Sequence, residues 1–216
     1  MKSSSFAAVF FLLTALNIFP QNKISLQFSG GIISPVNAYN GLTGSAQINY
    51  SFTDNINFYI SSGYSAWDKN KVVFLEDWSL KQRQTQFYSY TTDHHILIPL
   101  FIGSTINFHT NKIFTAFVNF EIGYSYLSFN WYKNEKTVDP ASGVVTSYYA
   151  DQSTKQKMNE DLFGVGIGAG IFHPLTENVN LILSFKLNSY LNSKYYKFLN
   201  AGDTWSTYMA GFNVAI

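Results

Sequence analysis

From residue 24 onward, apolar and polar side chains alternate at every second position, which is the signature of β-strands with unlike faces. The clearest run is 113–130. Phe114, Ala116, Val118, Phe120, Ile122, Tyr124 and Tyr126 share one parity, and Thr115, Asn119, Glu121, Gly123 and Ser125 share the other. In 162–175, Phe163, Val165, Ile167, Ala169 and Ile171 oppose Gly164, Gly166, Gly168 and Gly170. The same pattern recurs in 179–191 and 208–216, and more noisily in 24–34, 44–52, 56–67 and 95–108, so eight strands are predicted. Short connections at 53–55, 109–112 and 176–178 carry Asn, Asp and Thr, as hairpin turns do. Long ones at 35–42, 68–94, 133–161 and 192–204 alternate with them. Strict alternation of short and long connections predicts an all-β fold, an eight-stranded antiparallel up-and-down transmembrane β-barrel with periplasmic turns and extracellular loops. Pro99 falls inside the fourth strand, where a closed barrel has no free edge to absorb a missing donor, so a bulge is expected there.

Composition decides which solvent meets the outer face. Charged residues are 12% of the chain and aromatics 18%, whereas soluble domains carry roughly 25% charge. A soluble barrel would show Lys and Glu along its outward parity, and here neither parity does. Of the 27 charged residues, 20 fall in the three longest connections, and only Glu121 and Lys186 fall within predicted strands. No stretch reaches the ~20 consecutive apolar residues of a membrane-spanning helix. Outward Tyr64, Tyr124 and Tyr126 fall near one set of strand ends and Tyr50, Phe52, Phe58, Phe108 and Phe114 near the other, the placement of two interfacial girdles. The net charge of +1 offers no footprint for nucleic acid. With no cysteine, disulfides and thiolate chemistry are excluded.

The N-terminus predicts export. Met1-Lys2 precedes an apolar run, Phe6 to Phe19, closed by Pro20. As a helix this run would rise only ~21 Å against a hydrocarbon core of ~30 Å, which suits a signal peptide. The expected division is a leader over 1–20 and a barrel over 21–216.

Candidate chemistry is sparse. Glu121 and Lys186 lie on the inward parity at similar heights above their turns, with Gly166 and Gly168 on the strand between them. Buried charges are tolerated when paired, so a structural salt bridge across the lumen is predicted. A gating or proton-relay pair is the functional alternative. His94 and His95 are adjacent and would point to opposite faces of a strand, which argues against a shared metal ion, and they read as loop histidines. Ser89, His94 and His95 could serve a lipid-modifying enzyme at the outer rim, but their spacing marks no triad. No cofactor or metal site is expected.

Three segments resemble the PorT-like outer-membrane β-barrel domains. These are Ile96-Leu97-Ile98-Pro99-Leu100-Phe101-Ile102, the glycine ladder and hairpin of 164–187, and the terminal Gly211-Phe212-Asn213-Val214-Ala215-Ile216. The last also resembles the signal read by the barrel assembly machinery. The resemblance implies an outer-membrane barrel and names no activity.

Eight strands leave an interior that side chains can fill, so a general diffusion pore is not expected. The expected role is a structural or surface-interaction barrel acting through aromatic-rich loops toward an extracellular partner, seated in outer-membrane lipid. A narrow conduit for small hydrophobic solutes is the alternative, and a lipid-modifying enzyme the second.

Overall fold

The computed structural model describes residues 23–36, 38–69, 73–79, 84–109, 113–192 and 204–216. The leader expected over 1–20, the turn residues 110–112 and residues 193–203 of the last long connection lie outside them. The strands are β1 (Ile24–Pro35), β2 (Gly41–Ser51), β3 (Ile56–Lys69), β4 (Val73–Ser79), β5 (Gln84–His109), β6 (Thr115–Val138), β7 (Val145–Ala150), β8 (Gln156–Pro174), β9 (Val179–Tyr190) and β10 (Thr204–Ala215). The one helical element among the described residues is a 3-10 turn at Gln152–Thr154.

Eight of these strands close a barrel in the order β1, β2, β3, β5, β6, β8, β9, β10, every neighbour antiparallel. The register gives its stagger. Ser25 pairs with Asn49, Asn49 with Tyr59, Tyr59 with Gly103 and Gly103 with Glu121. Glu121 then pairs with Gly166, Gly166 with Asn188, Asn188 with Trp205, and Trp205 with Pro35. One circuit from Ser25 thus returns to β1 ten residues further on. A stagger of this size over eight strands sets a tilt of roughly 40° and an interior just wide enough for side chains.

Parity sorts the two faces as the alternation requires. Phe28, Ile32, Ile60, Ile102, Phe120 and Ile167 stand outward and exposed, while Gln27, Asn49, Ser61, Thr105 and Asn119 are buried inside. This is the inverse of a soluble barrel. In water, such a wall would leave a continuous apolar belt uncovered, and hydrocarbon is the medium that covers it.

Two expectations are corrected. The connections 68–94 and 133–161 are largely strand, not loop. β5 and β6 run on above the barrel, paired from Tyr90 with Lys133 to Asp93 with Asn130, and β4 and β7 flank them. In consequence His94 and His95 lie in β5. The sequence supports this: Val145-Thr146-Ser147-Tyr148-Tyr149 is a run of β-formers, and Asp139 closes the hairpin by accepting from the Ala141 and Ser142 amides. The bulge also lies elsewhere. Pro99 keeps regular register opposite Ser125, and the shift falls between Asp93 and Ile96, where His94 takes a φ of 49°. Toward β3 the pairing of Pro99 lapses without a change of register, and the Ser62 hydroxyl donates to its carbonyl at 2.8 Å.

Candidate functional site: a layered lumen

The lumen has three layers, each fixed by which inward residues the strands present at one height. The upper layer is apolar. Ile33, Leu97, Leu127, Leu162, Tyr190 and Trp205 are buried together, with Trp67, Phe101 and Phe129. Trp205 packs edge-on to Tyr190 at 4.4 Å between ring centres. His95 belongs to this layer, stacked between Trp67 at 4.8 Å and Phe129 at 5.5 Å, with its Nε2 2.9 Å from the Thr92 hydroxyl. Leu127 and Leu162 are fully buried within this plug.

The middle layer holds the charges. Lys186 Nζ lies 2.8 Å from Glu121 Oε2, and both groups are nearly enclosed. The Tyr59 hydroxyl donates to the same oxygen at 2.7 Å, and Asn188 Nδ2 donates to Oε1 at 2.6 Å. Asn119 Nδ2 donates to the Tyr59 oxygen at 3.0 Å, while the Lys186 ammonium sits 5.3 Å from the Tyr59 ring centre. Each carboxylate oxygen is therefore met by at least one donor, which makes a charge in this interior tolerable. Glycine makes the room. A Cβ on Gly166 would fall 2.6 Å from Glu121 Cγ, and one on Gly168 would fall 2.9 Å from Lys186 Cγ. A cavity of about 60 Å³ separates this layer from the plug, bordered by Ser61, Thr207, Lys186 and Tyr190 among others.

The lower layer is an open polar vestibule of about 620 Å³ at the turn end. Above it Gln47 donates to Asn49, and Asn49 donates to Asn213 and Ser25, tying the neighbouring strands β2, β1 and β10 along one side of the wall.

The structure thus brings Glu121 and Lys186 together and separates the candidate rim residues. His95 is sealed in the plug, whereas His94 points outward with its Nδ1 3.9 Å from Asp68. The Ser89 side chain lies outside the described residues. Among the described residues no three His, Asp or Glu side chains cluster as a metal would need. Sequence reasoning missed Tyr59, Asn119 and Asn188 as partners of Glu121. Their inward parity was readable, but the diagonal that brings Tyr59 level with Glu121 exists only once the stagger is known.

A closed antiparallel barrel whose exterior is apolar and whose every barrel strand is paired on both sides is the β-solution to a bilayer, because strand pairing satisfies nearly all backbone donors and acceptors within the wall. The chain is an integral outer-membrane β-barrel. Solved structures share its architecture. Neisserial surface protein A matches with a TM-score of 0.53 at 12% identity, over 89% of this chain and 96% of that one. A major outer membrane protein from Thermus thermophilus matches with a TM-score of 0.54 at 11% identity, over 89% of this chain and 99% of that one. Identities this low speak for the fold alone. No family model and no curated protein sequence matches the chain.

Proposed function

We propose that this barrel is a non-conducting membrane scaffold that presents the β4–β7 sheet extension for contacts outside the cell. The carrying observation is the filled lumen: an apolar plug closes the upper half, and the Glu121–Lys186 cluster spans the middle. A filled interior argues against the conduit for hydrophobic solutes. The dispersal of His94 and His95 to opposite sides of the wall argues against a rim enzyme built on them. The β6–β7 hairpin supports the surface role, because Val144, Val145, Tyr148 and Tyr149 are exposed at its end, and exposed aromatic side chains suit contact surfaces. The resemblance to PorT-like barrels belongs to this reading as well, as does recognition of β10 by the assembly machinery.

Purified barrel in a planar bilayer should give no reproducible current. Replacing 139–149 with a two-residue turn should leave insertion and heat-modifiable gel migration unchanged while reducing adherence of expressing cells to surfaces. Steady conductance of the intact barrel, or undiminished adherence of the shortened one, contradicts the proposal.

A further inference from the structure

The β6–β7 hairpin ends in an edge that the rest of the chain leaves open. Residues 133–151 are all described, and β7 terminates the strand order, so among the described residues no strand pairs with its far side. Five of its six residues are exposed and Ala150 is half-buried. The Asp151 amide donates to the Lys133 carbonyl at 2.9 Å, and further along the hairpin Tyr149 and Ser147 stand opposite Glu135 and Thr137. Bonded and non-bonded positions alternate in an antiparallel pair, so Ser147 and Tyr149 turn their backbone groups toward β6. Tyr148 and Ala150 turn theirs to the open side. The one register shift in the hairpin, at Thr137/Val138, leaves 147–150 regular. Sheet edges are ordinarily guarded by Lys, Pro or an inward charge. Here no charged residue lies between Asp139 and Asp151, and Val-Thr-Ser-Tyr-Tyr-Ala is β-branched or aromatic at four of its six positions.

We propose that this edge pairs antiparallel with β7 of a second copy of the chain, carried by a facing cell. The proposal rests on the surface role given above and names its partner. Backbone pairing is the recognition mode that a free edge offers. An uncharged strand selects no charged partner, and it meets its own copy without opposing like charges. A two-fold axis at Tyr148 keeps the contact within 146–150, sets Tyr148 against its own copy and sets Ser147 against the partner's Tyr149, so aromatic rings meet across the strands. The same symmetry fixes where the second copy sits. β6 runs unbroken from Thr115 to Val138, so the hairpin continues the barrel strands away from the bilayer. Val138 lies twelve residues beyond Tyr126 of the girdle, about 40 Å along a strand that rises ~3.3 Å per residue. An axis perpendicular to such a strand reverses the direction in which the second barrel points, which places it in an opposed membrane. Copies side by side in one membrane are related by an axis along the normal, which would run the two strands parallel. A six-residue edge is a small contact beside the ~1,000 Å² of a stable interface, and the many copies on each surface supply the avidity.

The test uses the full barrel expressed on cells, mixed with labelled cells that lack it. Expressing cells should cluster with one another and exclude the others. Tyr148→Pro removes an outward amide and spares the bonds to β6, a change that an edge strand tolerates, and it should cut clustering roughly ten-fold because every copy is weakened at once. Should that variant lose heat-modifiable gel migration, Tyr148→Lys serves with the same direction expected, since it opposes two like charges across the axis. The chain has no cysteine, and non-bonded antiparallel positions lie close enough for a disulfide. One population carrying Ser147→Cys, mixed with a second carrying Tyr149→Cys, should therefore give a disulfide-linked dimer under mild oxidation that neither population gives alone. Clusters that take up non-expressing cells equally, clustering undiminished in the substituted barrels, or no dimer across the two populations overturns the proposal. Loss of surface adherence on shortening 139–149, with no self-clustering of the intact barrel, overturns self-pairing alone and leaves the surface role standing.

Discussion

At the scale of single residues, the energetics concentrate on Glu121. Its carboxylate is met by Lys186, Tyr59 and Asn188, so removing one partner of the ion pair strands a charge in a narrow interior. Lys186→Met alone should lower stability by about 3–5 kcal/mol, as should Glu121→Leu, whereas the double substitution should cost far less than their sum. Denaturant unfolding from micelles measures all three, and additive losses would show that the two groups act independently. Gly166 lies on the strand between, paired with Glu121 on one side and Asn188 on the other. Gly166→Val would push a side chain into the space held by Glu121 and Asn188, and overpacking of that kind costs about 1–3 kcal/mol. The inward parity of Glu121 and Lys186, and the gap between them, are legible in the chain. The other members of the cluster are not, since nothing local distinguishes Tyr59 from any other inward tyrosine.

At the scale of elements, the hairpin of β6 and β7 depends on its turn. The Ser142 hydroxyl, followed by the Ala141 and Ser142 amides, holds the Asp139 carboxyl below the ordinary carboxylate range. A carboxyl depressed on folding stabilises above its unfolded pKa, and that contribution is lost as the pH falls through the folded value. The turn should therefore be intact at neutral pH and loosen only in acid, below about pH 4. Gly143, whose amide donates to the Asp139 carbonyl at 2.9 Å, is the reporter: its hydrogen-exchange protection should drop in acid, and Asp139→Ala should reproduce the drop at neutral pH. Protection unchanged in the variant would show that β-pairing alone holds the turn. Polar, charged residues over 133–161 read as loop because the membrane-facing alternation stops there. Strand pairing continues nonetheless, since backbone hydrogen bonds do not require an apolar face. Pro99 shows the converse: its missing donor was expected to force a bulge, but the sheet lets one pairing lapse and keeps its register.

At the scale of the whole molecule, closure and filling act together. On the proposed reading, the plug and the charged layer fill the lumen with side chains from seven of the eight barrel strands, so no single strand gates it. Shaving Phe101 and Tyr190 to Ala together should open the plug to the cavity of about 60 Å³ beneath it and raise bilayer conductance above that of the intact barrel. A shaved barrel that stays silent would place the barrier in the Glu121 layer. Each truncation should also cost about 3–5 kcal/mol, which thermal unfolding would report.

The sequence by itself determined the strand periodicity, the apolar outward parity, the alternation of short and long connections and hence a membrane barrel, because each is a property of neighbours along one strand. The stagger of ten, the meeting of Tyr59 with Glu121, the burial of His95 between two aromatic rings and the polar vestibule at the turn end were decided only by tertiary structure. Residues far apart in the chain become level only after the sheet has closed, and the tilt that sets which of them meet belongs to the closed circle of strands rather than to any one of them.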